Sequence, residues 1–233
     1  MSVLGVLIRK ELHGTFTSPI GYTVAAVFLL VLGYTFSLTL FQTRTANLIY
    51  IFHQMYVLSI LLVPVLTMRS LAEERRNDTL ELLLTAPVRE IWIVLAKFLA
   101  NLVLVYGMYA GSLLYAAILG MYGEPDWGPI YSGYLALALH GSLLVAIGLL
   151  VSSLTENQVV AAALTLGIAL MLWFADAAAY MLPPPFDSIV LNLSLIGHFR
   201  PMATGSVFLS DIGYFLTLSI LALFLTTRWL RER

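Results

Sequence analysis

Few residues in this chain are of types that do chemistry, and their spacing limits what they can do. His140, Gly141 and Ser142 set an imidazole beside a hydroxyl, but neighbours on a helix point to different faces, so the pair has no shared geometry for base and nucleophile. There is no G-x-x-x-x-G-K-[ST] phosphate loop, no H-E-x-x-H and no G-x-S-x-G in the sequence. ATP binding by a phosphate loop, zinc proteolysis and serine hydrolysis therefore lack a carrier. The absence of cysteine removes disulfides, thiolate catalysis and cysteine metal sites together. The expectation is a chain with no catalytic residue, no metal and no cofactor of its own. His53 and Gln54 sit in an apolar run and read as interhelical hydrogen-bonding groups. Asp176 is the one acid inside an apolar run long enough to span, and it lies near the end, where it can reach water. Asn192-Leu193-Ser194 matches the glycosylation pattern, too short a match to carry a role.

What remains is the chemistry of charge pairing and docking. Residues Arg69 to Glu90, RSLAEERRNDTLELLLTAPVRE, concentrate charge in an otherwise apolar chain. Each Asp, Lys or Arg at the centre of hydrocarbon costs roughly 2.5 to 3.5 kcal/mol, so this run must face water. Glu73, Glu74, Arg75 and Arg76 set two acids beside two bases, a mixed run that taken by itself is more often a solvated face than a site. Asp78 and Glu81 have the D-x-x-E spacing of a capping box, so a short helix is expected to start there. Thr79, Leu80, Leu82, Leu83 and Leu84 fill that helix and Ala86-Pro87 ends it, with Pro87 suited to the first turn of the next. Its leucines either lie in the headgroup region or are pressed by a partner. A second polar turn, Ser152 to Gln158, places Thr155 and Gln158 at the T-x-x-Q spacing of another capping box, enclosing Glu156 and Asn157.

The elements that position these groups are membrane helices. Of 233 residues 60% are hydrophobic and 11% charged, against roughly 45 to 50% and 25% in soluble domains. Residues 1–233 are expected to form one all-α bundle of six spans. The spans run about Ile20 to Phe41, Leu48 to Met68 with a kink at Pro64, Ile91 to Leu119, Tyr131 to Val151, Gln158 to Leu182 and Ile212 to Trp229. Residues 1–18 read as an interfacial amphipathic helix rather than a removable signal peptide, with Leu4, Ile8, Leu12 and Phe16 on one stripe. Lys97 is expected to snorkel from the inner end of the third span. Tyr122, Trp127, Tyr131 and Tyr134 read as an aromatic belt. Residues 183–210 are too polar to span, and Ser188 to His198 read as one short re-entrant or surface-lying helix.

Ten of the twelve basic residues fall on one side if both termini are cytoplasmic, leaving only Arg44 and Arg200 outside. The expected orientation is therefore N-in and C-in, with residues 69–90 in the cytosol. A net charge of -1 gives no nucleic-acid signal. A secondary transporter or channel would need ionisable relays within the spans, which are lacking apart from Asp176.

The run LAEERRNDTLELLLTAPVREIWIVLAKFLA resembles the region between spans two and three of ABC-2 type transporter permeases. The segments EPDWGPIYSGY, SSLTENQVVAA and SLIGHFRPMATGSVFLSDIGYFL look like the subfamily that includes gliding-motility permeases. The resemblance implies that the leucine helix is a coupling helix received by a separate ATP-binding subunit, which holds the ATP and Mg. Glu73 to Arg76 would fix the docking geometry by charge pairing. It implies that residues 1–18 are the connecting helix and that Thr155 to Gln158 form a second cytoplasmic contact. A second permease copy or a related permease, and membrane lipid, are the further partners implied. The expected setting is a bacterial or archaeal cytoplasmic membrane and the expected role is export. The alternative is a non-transporting scaffold that couples the ATPase to extracytoplasmic machinery through residues 183–210.

Overall fold

The computed structural model describes residues 3–43, 48–79 and 88–232. These form ten helices and, among the described residues, no strand. They are α1 (Val3–Thr17), α2 (Pro19–Thr43), α3 (Ile49–Thr67), α4 (Ala72–Arg76) and α5 (Glu90–Tyr122), followed by α6 (Trp127–Leu154), α7 (Gln158–Ala179), α8 (Phe186–Leu191), α9 (Leu195–Ala203) and α10 (Leu209–Arg231). Six of them, α2, α3, α5, α6, α7 and α10, are long and apolar enough to cross a membrane. The expected spans and their order hold. At about 1.5 Å per residue the 33 residues of α5 reach about 50 Å, well beyond the roughly 30 Å of hydrocarbon. Pro64 lies inside a helix that continues past it to Thr67.

α6 is the axis of the bundle. It packs against α3, α5, α7, α9 and α10, and Ala136, Leu137, Leu143, Leu144, Val145, Ala146 and Leu149 along it are wholly buried. Close approach depends on glycine. A Cβ at Gly148 would overlap the Thr67 side chain, and one at Gly141 would stand 2.9 Å from the Tyr109 hydroxyl, so α3 and α5 reach the axis only because both side chains are missing. Polar groups inside the bundle pair between helices, as expected where water is absent. The Ser59 and Tyr109 hydroxyls lie 2.8 Å apart, Ser112 and Tyr134 3.0 Å apart, and Tyr115 donates to the Leu29 carbonyl at 3.1 Å.

Four local expectations change. His53 and Gln54 make no interhelical hydrogen bond among the described residues; they line a cavity of about 770 Å3 between α2, α3 and α9. Tyr134 is not part of a belt, because its hydroxyl is held by Ser112 and its ring meets Phe52 edge-on at 5.2 Å, whereas Tyr122, Trp127 and Tyr131 do lie exposed. The single helix expected over Ser188 to His198 is two. α8 has no buried residue, and α9 buries Leu195, Ile196, Phe199, Met202 and Ala203 against the bundle. Ser194 separates them by capping α9, its Oγ accepting from the Gly197 amide at 3.1 Å. Finally α7 is not opened by a Thr155/Gln158 capping box. Asn157 is the cap, with Oδ1 accepting from Val159 and Val160, while Thr155 Oγ1 takes the Asn157 amide at 3.1 Å. Thr155 still carries the extended backbone that closes α6, so the helix starts too late for it to serve.

α9 ends in a Schellman turn. Gly205 at φ 104 follows the C-cap Thr204, and the Ser206 and Gly205 amides return to the Pro201 and Met202 carbonyls at 2.9 and 3.2 Å. His198 then ties α9 to α10. Its Nδ1 lies 2.8 Å from Asp211 Oδ1, and the Tyr214 ring stacks on the imidazole at 4.1 Å.

Candidate functional site

The sequence places its chemistry at the charged end of the bundle, where α1, α4, the start of α5, the α6–α7 turn and the end of α10 meet. The chain leaves α3 through Met68 to Leu71 and makes one short helix, α4. Five residues cannot sustain a helix alone, so its backbone groups must be satisfied from outside. Ser152 on α6 does this. Its Oγ accepts from the Leu71 and Ala72 amides at 3.0 Å each and donates to the Met68 carbonyl at 3.1 Å. A hydroxyl 80 residues away thus takes the place of the N-cap that Leu71 cannot supply.

Charge fixes the rest. Lys97 lies in the second turn of α5 with its side chain 3% exposed, and its Nζ sits 2.7 Å from Glu74 Oε1 and 3.1 Å from Glu11 Oε2. It does not snorkel, because two carboxylates from α1 and α4 enclose the ammonium where it stands. Lys10 closes the cluster from the solvent side, 3.4 Å from Glu11 and 3.7 Å from Glu74. Next to it Asn101 donates to Ser70 Oγ at 3.0 Å, holding the α3–α4 link to α5. On the other side of α4, Arg75 pairs with Glu156 at 3.3 Å and donates to the Ser153 carbonyl at 3.1 Å. The Trp229 indole N–H donates to the same carbonyl at 3.1 Å, which brings in the end of α10.

The expected site residues are therefore placed as follows. Glu74 and Arg75 point into the chain and pair within it, with Lys97 and Glu156. Arg75 joins the first expected contact to the second through Glu156, and Asn157 and Thr155 shape the turn that presents Glu156. Glu73 borders a polar cavity of about 350 Å3 with Arg69 and Lys97, and Arg76 and Thr79 are exposed. Asp78 adopts φ 56 just past the C-cap Asn77, and the Thr79 hydroxyl donates to the Glu74 carbonyl at 3.1 Å. Asp78 thus ends α4 in a left-handed position, which Asp tolerates, rather than taking the extended backbone usual for an N-cap. Leu80, Glu81, Leu82, Leu83 and Leu84, with Ala86 and Pro87, lie outside the described residues. Lys97, Glu11, Asn101 and Ser152 were not read as site residues from the sequence. A lysine inside an apolar run and a carboxylate on an amphipathic segment are the signals that could have found the first two.

A bundle of six apolar helices with its basic charge gathered at one end defines a multi-pass membrane protein. Residues 51–206 match the family model described as ABC-2 family transporter protein, and the chain belongs to that family. It is a membrane permease component of an ABC-2 type transporter. In such systems the ATPase is a separate subunit, and that ATP-binding subunit is the general partner of the permease. No curated protein matches the chain.

Proposed function

We propose that this chain, as one transmembrane domain over residues 1–233, is half of an ATP-driven exporter in a bacterial or archaeal cytoplasmic membrane. Both termini are cytosolic, the six spans are completed by a second copy or a related permease, and the relationship within the family is to the gliding-motility permeases. Residues 80–84 are the coupling helix. Residues 155–158 form a second contact, and α1 is the connecting helix.

The observation that carries this reading is the grip on α4. The segment that leads into residues 80–84 is bonded to α1, α5, α6 and the α6–α7 turn at once through Lys97, Glu74, Ser152 and Arg75. A push delivered on residues 80–84 is then shared by most of the bundle instead of being lost in a loop. ATP binding favours a closed ATPase dimer, and the permease follows as a two-state element. Glu73, Arg76, Asp78 and Thr79, the groups nearer solvent, meet the ATPase, while Glu74 and Arg75 set the angle of approach.

Leu83→Glu tests the docking. The substitution is expected to abolish permease-dependent stimulation of ATP hydrolysis while leaving membrane insertion intact. Stimulation equal to that of the unmodified chain would overturn the assignment. The scaffold reading draws on a different feature, the exposed Phe186, Ile189 and Leu191 of α8. Cross-links from α8 to an extracytoplasmic protein, together with no movement of substrate, would favour it.

A further inference from the structure

At the charged end, between the first turns of α5 and the last turns of α10, the bundle leaves a cavity of about 720 Å3. Its rim carries Arg89, Arg228 and Arg231 against one acid, Glu90. Arg228 and Arg231 are three residues apart and so share a helix face, and Arg89 comes from the N-cap of α5. Arg228 has an ion pair with Glu232 at 3.7 Å, both side chains more than half exposed, a contact of little strength in water. Below the rim the wall is apolar, made by Val94, Leu95, Leu223 and Phe224, with Ile220 deeper still. From Arg228 to Ile220 the helix descends about 12 Å, so guanidinium groups stand directly over hydrocarbon-facing surface.

We propose that this cavity binds an anionic phospholipid of the surrounding leaflet, its headgroup phosphate held by Arg89, Arg228 and Arg231 and an acyl chain laid on the wall. The match is one of charge and depth. Guanidinium forks fit phosphate oxygens in pairs, and basic pockets between helices at the cytoplasmic face suit anionic headgroups. A free phosphate would leave the apolar wall uncovered, and a zwitterionic lipid would return a positive charge to the arginines. Arg89 follows residues 80–87 after the single residue Val88, so an occupied site anchors the chain where α5 begins. This consequence for coupling rests on the docking role proposed above, whereas the lipid binding itself does not.

The test is native mass spectrometry of the purified full chain, counting retained phosphatidylglycerol and phosphatidylcholine. The chain is expected to retain phosphatidylglycerol preferentially, and Arg89→Gln/Arg228→Gln/Arg231→Gln to weaken that preference at least about tenfold, from a loss near fivefold per basic residue. Millimolar inorganic phosphate is expected not to displace the lipid; displacement would make this a free-phosphate site and overturn the proposal. Undiminished preference in the triple variant would overturn it too. Because that variant could fold poorly, the unmodified chain provides a second measurement with phosphatidylglycerol carrying a photoreactive acyl chain. Labelling is expected on peptides covering residues 89–95 and 220–231, and labelling confined elsewhere would overturn the assignment. None of these readouts involves the ATPase.

Discussion

Lys97 holds two carboxylates that would otherwise face each other in a buried place, and this decides what its loss does. Removing one partner of a buried pair typically costs about 3 to 5 kcal/mol because the remaining charge is left uncompensated. Lys97→Met leaves both Glu11 and Glu74 without their buried counter-charge, so it is expected to reach that range in thermal unfolding of the purified chain. Glu74→Gln is milder, since Glu11 still neutralises the ammonium at 3.1 Å. The double substitution is expected to be less destabilising than the two single losses combined, because the strain of Lys97→Met is the repulsion that Glu74→Gln removes. Strictly additive losses would show that the three groups do not act as one cluster. The sequence could not reveal this arrangement. A lysine near the end of a long apolar run ordinarily reaches for water, and of the two carboxylates that prevent it one is on a different helix 86 residues earlier in the chain.

At the scale of elements, what was legible follows from length. Six apolar runs of about twenty residues admit one structure in lipid, so the spans could be placed within a few residues. Short elements were not legible in the same way. In Thr155-Glu156-Asn157-Gln158 two residues could cap α7, and the choice fell to Asn157 because Thr155 is still occupied in closing α6. Residues 188–198 looked like one helix because nothing local showed that the Ser194 hydroxyl would turn back to start a second. α4 depends most on distant chemistry. Ser152→Ala leaves the Leu71 and Ala72 amides without their acceptor, at a cost of about 1 to 3 kcal/mol. In hydrogen exchange the amides of residues 71–76 are expected to exchange roughly five- to hundredfold faster, with the core of α6 unchanged. Equal rates in both proteins would mean that α4 is held by its ion pairs alone. On the coupling role proposed for residues 80–84, stimulated ATP hydrolysis is expected to fall with the loss of protection.

Over the whole molecule, charge is distributed along one axis. Arg9, Lys10, Arg69, Arg75, Arg76, Arg89, Lys97, Arg228 and Arg231 lie at the end that holds α1 and α4, and Arg200 is the basic residue of the described part at the other. Basic residues in short loops are retained on the cytoplasmic side during insertion, so this asymmetry sets the expected orientation and with it the side on which the proposed ATPase contact would lie. Several of these charges are also structural. Lys97 and Arg75 make pairs that exist only once the bundle has closed, so the groups that help direct insertion later fasten the platform. The absence of cysteine makes orientation directly measurable, because any introduced thiol is the sole target for a maleimide. Asp78→Cys and Glu232→Cys at the charged end are expected to resist a membrane-impermeant maleimide in intact cells and to react once the membrane is opened. Glu124→Cys, in the turn before α6, is expected to react in intact cells. The inverse pattern would place α4 and the arginine-rimmed cavity outside, and would overturn the proposed ATPase docking role while leaving the packing of the bundle as described.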